Sequence, residues 1–308
     1  MNRCPITYAV CLEKYSPEGL KLFSRRLTGL SPLPFSGEEL RLEAAAQAEK
    51  MSIQGVQPKV SARLNIRQQK FDIVDSGGLY ILKPQLADYR EVPENEDLTM
   101  KMAEAAGIDT PLHGLIYGRD NELCYCIRRF DRGTHGKKHH VEDFAQLGGH
   151  CRETKYRSSM EKVAAHIETY CTFPAVEKLK LFRLTLFTFL VGNEDMHLKN
   201  FSIIRMNDII RLAPAYDLLN TTIVLPSTTE ELALPLNGKK SNLNRVDLVD
   251  YYAFNRLKLS QKVVKNTMEQ LEQVRHQWEK LLAESFLSEK MKQKYGDILD
   301  NRFSRLYI

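Results

Sequence analysis

Residues 189–219 read FLVGNEDMHLKNFSIIRMNDIIRLAPAYDLL, and the remainder of the chain is best read outward from them. Asp195, His197, Lys199 and Asn200 crowd into one short loop, and Asp217 follows two apolar stretches that Asn207-Asp208 separates as a turn. An aspartate, a nearby asparagine and a second aspartate beyond a hairpin are the groups that phosphoryl transfer needs. One carboxylate orients the attacking hydroxyl, while the amide and the other carboxylate hold the magnesium ions that offset phosphate charge. Spacing alone does not separate these acids from solvated loop acids. The apolar segments on either side favour a site, because polar groups placed there need partners. One histidine between an acid and a lysine is a poor zinc set, and no second histidine at ligand spacing points to a metal hydrolase. His197 is therefore expected to hydrogen-bond and hold the loop.

Upstream of this loop, AVEKLKLFRLTLFTFLV (175–191) is apolar around most of its surface and predicts a buried helix. Residues 141 to the end are read as mostly helical, with helices over 143–147, 159–170, 246–254 and 260–286. In the last of these, Val263, Met268, Leu271, Val274, Trp278 and Leu281 lie on one face, which predicts core packing. Asn200 is expected to open a strand over 201–204.

The first half reads differently. Residues 6–12 predict a strand and 19–27 a short helix. Ser36 with Glu39 three residues on is a capping box before a helix over 38–50. A small loop, 52–58, precedes an alternating strand through Val60, Ala62 and Leu64. Gly55 lets a backbone approach an anion closely, and loop amides beside Lys59 make an anion cradle, although such a pair is more often a plain turn. FDIVDSGGLYILKP is read as a hairpin with its turn at 75–78, and its second strand ends on Lys83. Residues 92–106 predict a helix stopped by Gly107, with Glu96 in position either to favour the helix dipole or to pair with Lys83. A second hairpin, GLIYGRDNELCYCIRRFDR, turns at 118–121 and runs into a linker at Arg128 and Phe130.

Composition excludes little but sets bounds. The 308 residues allow one large domain or two moderate ones. A hydrophobic fraction of 43% is that of an ordinary soluble protein, and a net charge of +5 is too small to argue for nucleic acid. Six cysteines without a CxxC pair read as reduced thiols. The apolar segment at 179–191 is interrupted by Lys180 and Arg183 and is too short to span a bilayer. No signal peptide is legible, so a cytoplasmic protein is expected.

Taken in order, SIQGVQPKVS, YILKP, ENEDLTMKMAEAAGI, IRRFDR, GNEDMHLKNFSI and APAYDLL resemble the HipA-type toxin kinases of bacterial toxin–antitoxin systems, over residues 51–220. Chain length points to the short HipT-like branch of a three-component HipBST system. The resemblance implies an α+β, bilobed protein-kinase-like fold, with a β-rich lobe over 1–130 and a helical lobe over 131–308. It implies a serine/threonine kinase using ATP and magnesium. Asp195 matches the catalytic base, and Asn200 and Asp217 match the metal ligands. Lys83 matches the phosphate-contacting lysine and Glu96 its helix partner. Gln54, Gly55, Val56, Gln57 and Lys59 match the phosphate loop. Arg128 and Phe130 match the adenine linker, and His197, Lys199 and Tyr216 match further nucleotide contacts. Ser52 matches an autophosphorylated serine, whose added charge repels ATP phosphates and switches the kinase off. The implied partners are an aminoacyl-tRNA synthetase as substrate, a small HipS-like protein and a HipB-like DNA-binding antitoxin, with no direct nucleic-acid contact.

Two positions depart from the pattern. Short-branch relatives often carry Ser-Ile-Ser in the phosphate loop, where this chain has Gln54 at the second serine and keeps only Ser52 as acceptor. Relatives often have glycine before the catalytic aspartate, where this chain has Glu194, a carboxylate that either perturbs Asp195 or faces solvent. A small-molecule kinase shares the Asp–Asn–Asp chemistry but has no need of Ser52. A non-enzymatic antitoxin-binding module has no need of Asp195 or Asp217.

Overall fold

A computed structural model describes residues 2–48, 58–133, 136–225 and 229–307. The expectations for Ser52, Gln54, Gly55, Val56 and Gln57 fall outside the described residues. By its contacts the chain divides into two compact units. One holds Met1–Leu98, Pro111–Lys137 and Glu284–Ser288; the other holds Thr99–Thr110, Lys138–Ala283 and Glu289–Ile308.

The first unit opens with a two-stranded ribbon, β1 (Asn2–Arg3) and β2 (Val10–Cys11). Only these two residues of the strand expected over 6–12 are extended; Ile6 and Tyr8 are instead buried in the turn between β1 and β2. Helix α1 (Pro17–Phe23) starts on Ser16, whose hydroxyl accepts the Gly19 N–H. Helix α2 (Gly37–Ala48) carries the expected capping box. The Glu39 N–H donates to Ser36 Oγ at 3.2 Å, and the Ser36 N–H donates to Glu39 Oε2 at 2.8 Å.

Five antiparallel strands follow: β3 (Val60–Asn65), β4 (Lys70–Ile73), β5 (Tyr80–Lys83), β6 (His113–Tyr117) and β7 (Leu123–Arg128). Their order is β4-β3-β5-β7-β6. The expected hairpin of β6 and β7 is present, with Ile116 opposite Cys124. The expected β4–β5 hairpin is not. Both strands pair with β3, one on each side, with Ala62 facing Ile73 and Tyr80. The segment between them crosses β3, since the Val74 and Leu79 N–H groups donate to the Ser61 and Ala62 carbonyls. Gly78 permits that crossing: a Cβ there would stand 2.9 Å from the Ala62 backbone. Turn residues were therefore legible, but not which strands they join. Helix α3 (Val92–Ala105) ends at Gly107, which takes φ +72° as a helix stop.

The second unit contains α4 (Phe144–Leu147), α5 (Met160–Tyr170) and α6 (Pro174–Leu190), near the expected bounds. Every residue of α6 from Thr185 to Leu190 is buried, as an all-round apolar helix requires. A three-stranded sheet, β10-β9-β8, combines β8 (His140–Asp143), β9 (Ser202–Met206) and β10 (Ile209–Leu212). Strand β8 falls in a region read as helical. Four residues, HVED, are too short to carry a period of their own, and pairing with β9 extends them. The β9–β10 turn places Asn207 and Asp208 at φ 49° and 64°, the backbone of a tight primed turn. After a short helix α7 (Thr221–Val224) and a π-type helix over Val246–Arg256 come α8 (Gln261–Glu284) and α9 (Glu289–Tyr307). Trp278 of α8 is fully buried, packs edge-on to Phe187 and Phe303, and donates its indole N–H to the Met102 carbonyl. Among the described residues no helix is long and apolar enough to cross a membrane.

Replacing Gly78 by Ala forces a methyl group onto the β3 backbone. It is expected to destabilise the chain by about 1–3 kcal/mol in urea unfolding; an unchanged midpoint would show that the crossing has slack.

Candidate active site

The loop after α6 is built on backbone constraints. Gly192 takes φ +68°, and a Cβ there would meet Thr222 Oγ1 at 2.8 Å and Asn220 Oδ1 at 3.0 Å. Asn193 is wholly buried, and its Oδ1 accepts the Asp195 N–H at 3.2 Å. The Asp195 carbonyl then accepts two donors, the His197 N–H at 2.8 Å and Asn200 Nδ2 at 3.2 Å. The Asn200 N–H closes the turn on the His197 carbonyl at 2.9 Å. Residues Leu198–Asn200 form a 3-10 turn rather than the start of a strand, so β9 begins at Ser202. Because Nδ2 is committed, the end of the Asn200 amide left for a ligand is Oδ1, a hard oxygen.

Glu194 neither faces solvent nor is left unmatched. Its backbone N–H donates to Thr221 Oγ1, and its carboxylate accepts the Thr222 hydroxyl at 2.7 Å. Arg302 on α9 stands 3.6 Å away, and both side chains are 6% exposed. Arg302 also pairs with Glu231 at 3.0 Å, as does Arg305.

His197 is buried, and its Nε2 lies 2.7 Å from Lys155 Nζ. A lysine ammonium donates only, so the imidazole accepts there and carries its proton on Nδ1. Burial lowers the His197 pKa, which favours this neutral ring; Lys155 is likewise lowered by burial, while the charges of Asp195 and Asp217 oppose both shifts. His197 Nδ1 is buried without a partner among the described residues. Tyr216 donates its hydroxyl to the Lys199 carbonyl at 2.8 Å and accepts from Ser202 at 2.6 Å, and burial pushes its phenol pKa up. Asp217 takes φ +61°. Asp195, His197, Lys199, Asn200, Tyr216 and Asp217 thus lie in the second unit. The Asp195 and Asp217 charges both act on Lys155 and His197.

The remaining candidates lie in the first unit. Lys83 Nζ meets Glu96 Oε1 at 2.5 Å, with side chains 8% and 0% exposed. Arg128 is exposed at the end of β7, while Phe130 and Lys59 are half-buried.

The donor set suits magnesium. The Asp217 carboxylate and the Asn200 amide oxygen are hard ligands, and magnesium takes one or two protein carboxylates together with phosphate oxygens rather than a closed protein cage. Sequence reading missed Lys155, Tyr156 and Arg302. All three lie far along the chain from the loop and sit in polar stretches that look like solvated surface.

Residues 51–278 match the family described as the HipA-like C-terminal domain. The chain belongs to that family. A protein of Haemophilus influenzae named a putative kinase is 30% identical, with the match covering 93% of this chain and 92% of its own length. The serine/threonine-protein kinase toxin HipA of Shewanella oneidensis is 27% identical over 56% of this chain, which there spans 43% of the relative. The Shewanella oneidensis HipA solved with HipB and its operator DNA shares the fold. Its TM-score is 0.69 at 20% identity, covering 91% of this chain and 74% of that one. The HipA-like chain is therefore α+β and kinase-like in architecture.

Replacing Arg302 by Met leaves the buried Glu194 carboxylate without its cation, while Glu231 keeps Arg305. The expected cost is about 3–5 kcal/mol in denaturant unfolding; a loss under about 1 kcal/mol would show that α9 does not brace the loop.

Proposed function

We propose that this HipA-like chain is an ATP-dependent serine/threonine protein kinase acting as the toxin of a toxin–antitoxin system. The observation that carries the reading is the Asp195 carbonyl, which ties the base candidate and the metal candidate Asn200 into one turn. In this reading Asp195 takes the proton of the acceptor hydroxyl as its oxygen bonds to the γ-phosphorus. The bond from that phosphorus to the β,γ-bridging oxygen breaks and ADP leaves. Asn200 and Asp217 would hold magnesium, which supplies positive charge beside the phosphates when bound. Lys83, fixed by Glu96, contacts phosphate. Lys59, Arg128, Phe130, His197, Lys199 and Tyr216, with Gln54, Gly55, Val56 and Gln57, make the other nucleotide contacts.

The resemblance extends the proposal to the short HipT-like branch, with a HipS-like protein and a HipB-like antitoxin as partners. The acceptor class is an aminoacyl-tRNA synthetase, glutamyl or tryptophanyl among the family's examples. Phosphorylation there would stop tRNA charging and growth. Ser52 is the site of self-inactivation: about two added negative charges beside ATP phosphates repel them.

Incubating the purified chain with labelled ATP and magnesium is expected to put phosphate on Ser52, located by mass spectrometry. Asp195→Asn should reduce the rate by about 10²–10⁴-fold, and Lys83→Met should weaken ATP use. Undiminished labelling in Ser52→Ala would contradict the autophosphorylation site, and growth arrest that survives Asp195→Asn would favour a binding module over a kinase.

A further inference from the structure

Tyr156 lies in the loop between α4 and α5, and its phenol O–H donates to Asp195 Oδ1. Its ring stands edge-on to the His197 imidazole, with centroids 5.0 Å apart and planes at 84°. The Lys155 ammonium sits 4.9 Å from the ring centroid. Lys155 in turn bonds to His197 Nε2 through its side chain, and its carbonyl accepts the Leu198 N–H at 3.3 Å. Two consecutive residues are thus tied to the catalytic loop through a carboxylate, an imidazole and a backbone amide. The loop that carries them is closed locally by Arg157 N–H on the Thr154 carbonyl and by Cys151 N–H on Thr154 Oγ1, then enters α5 through the Ser159 cap.

A carboxylate rotates freely about its terminal torsion unless one oxygen is held. With Oδ1 held, the plane of the Asp195 carboxylate is fixed and Oδ2 remains for another donor. We propose that Tyr156 is the positioning residue of the catalytic base, holding Asp195 so that Oδ2 faces the acceptor hydroxyl. This rests on the kinase reading of the site. The ring contacts favour holding over obstruction. A blocking group has to leave for each acceptor, whereas this ring contacts Lys155 of its own loop and His197 of the loop that carries Asp195, and those two residues are bonded to each other. Burial and the Asp195 charge push the phenol pKa up, so the donor keeps its proton across the working range. Misplacement of a reacting group by about 1 Å costs roughly 10²-fold in rate, which sets the size of the expected effect.

The test is Tyr156→Phe, which removes the hydroxyl and keeps the ring packing, compared with wild type and Tyr156→Ala in steady-state phosphate transfer from ATP. The position is 41% exposed, so the Phe variant is expected to melt with the wild type. The proposal expects kcat to fall by about 10–100-fold in the Phe variant, with KM for ATP changed less than twofold, and the Ala variant no faster. A Phe variant at the wild-type rate reduces Tyr156 to packing and overturns the proposal. A faster Phe variant makes the phenol an obstruction and also overturns it, as does a loss confined to KM for ATP. Wild-type chain that transfers no phosphate from ATP contradicts the kinase reading itself and removes this role with it.

Discussion

One backbone carbonyl organises the candidate site. The Asp195 oxygen accepts from the His197 amide and from the Asn200 side chain, so the carboxylate-bearing residue and the carboxamide-bearing residue belong to a single hydrogen-bonded turn. Each bond is a modest contributor, about 1 kcal/mol net. Their importance is geometric, because neither residue shifts without breaking the other's anchor. The turn is positioned by α6, whose buried end leaves Gly192 as the only residue type able to pass Thr222 and Asn220.

Around that turn, polar groups are matched in layers. Asn193 holds the Asp195 amide from below, and Thr221 and Thr222 take both ends of Glu194. Arg302 reaches the same carboxylate from the last helix and is itself flanked by Glu231. A chain with glycine at 194 would need none of this; here the carboxylate comes with its own compensating cation. On the other side, burial lowers the pKa values of Lys155 and His197, and the charges of Asp195 and Asp217 oppose both shifts.

Much of this was legible in the residues, and the reasons are local. The capping box at Ser36 and Glu39, the Gly107 stop and the Asn207-Asp208 turn are dictated by short-range chemistry and are present as read. The crowding of Asp195, His197, Lys199 and Asn200 is likewise a local fact. What was not legible is long-range. FDIVDSGGLYILKP contains turn residues, yet β4 and β5 flank β3, because pairing depends on a strand earlier in the chain. Strand β8 exists only through β9. Tyr156, Lys155 and Arg302 sit in charged stretches with no period or motif, and only the fold brings them to the loop.

The central claim is that Asn200 and Asp217 hold a divalent cation beside the triphosphate. Manganese in place of magnesium allows a direct reading by paramagnetic resonance with a non-hydrolysable ATP analogue. The account predicts a manganese–nucleotide signal altered by protein ligands in the wild-type chain and reverting to that of the free complex in Asn200→Ala and Asp217→Ala. A wild-type signal retained in both variants would contradict it.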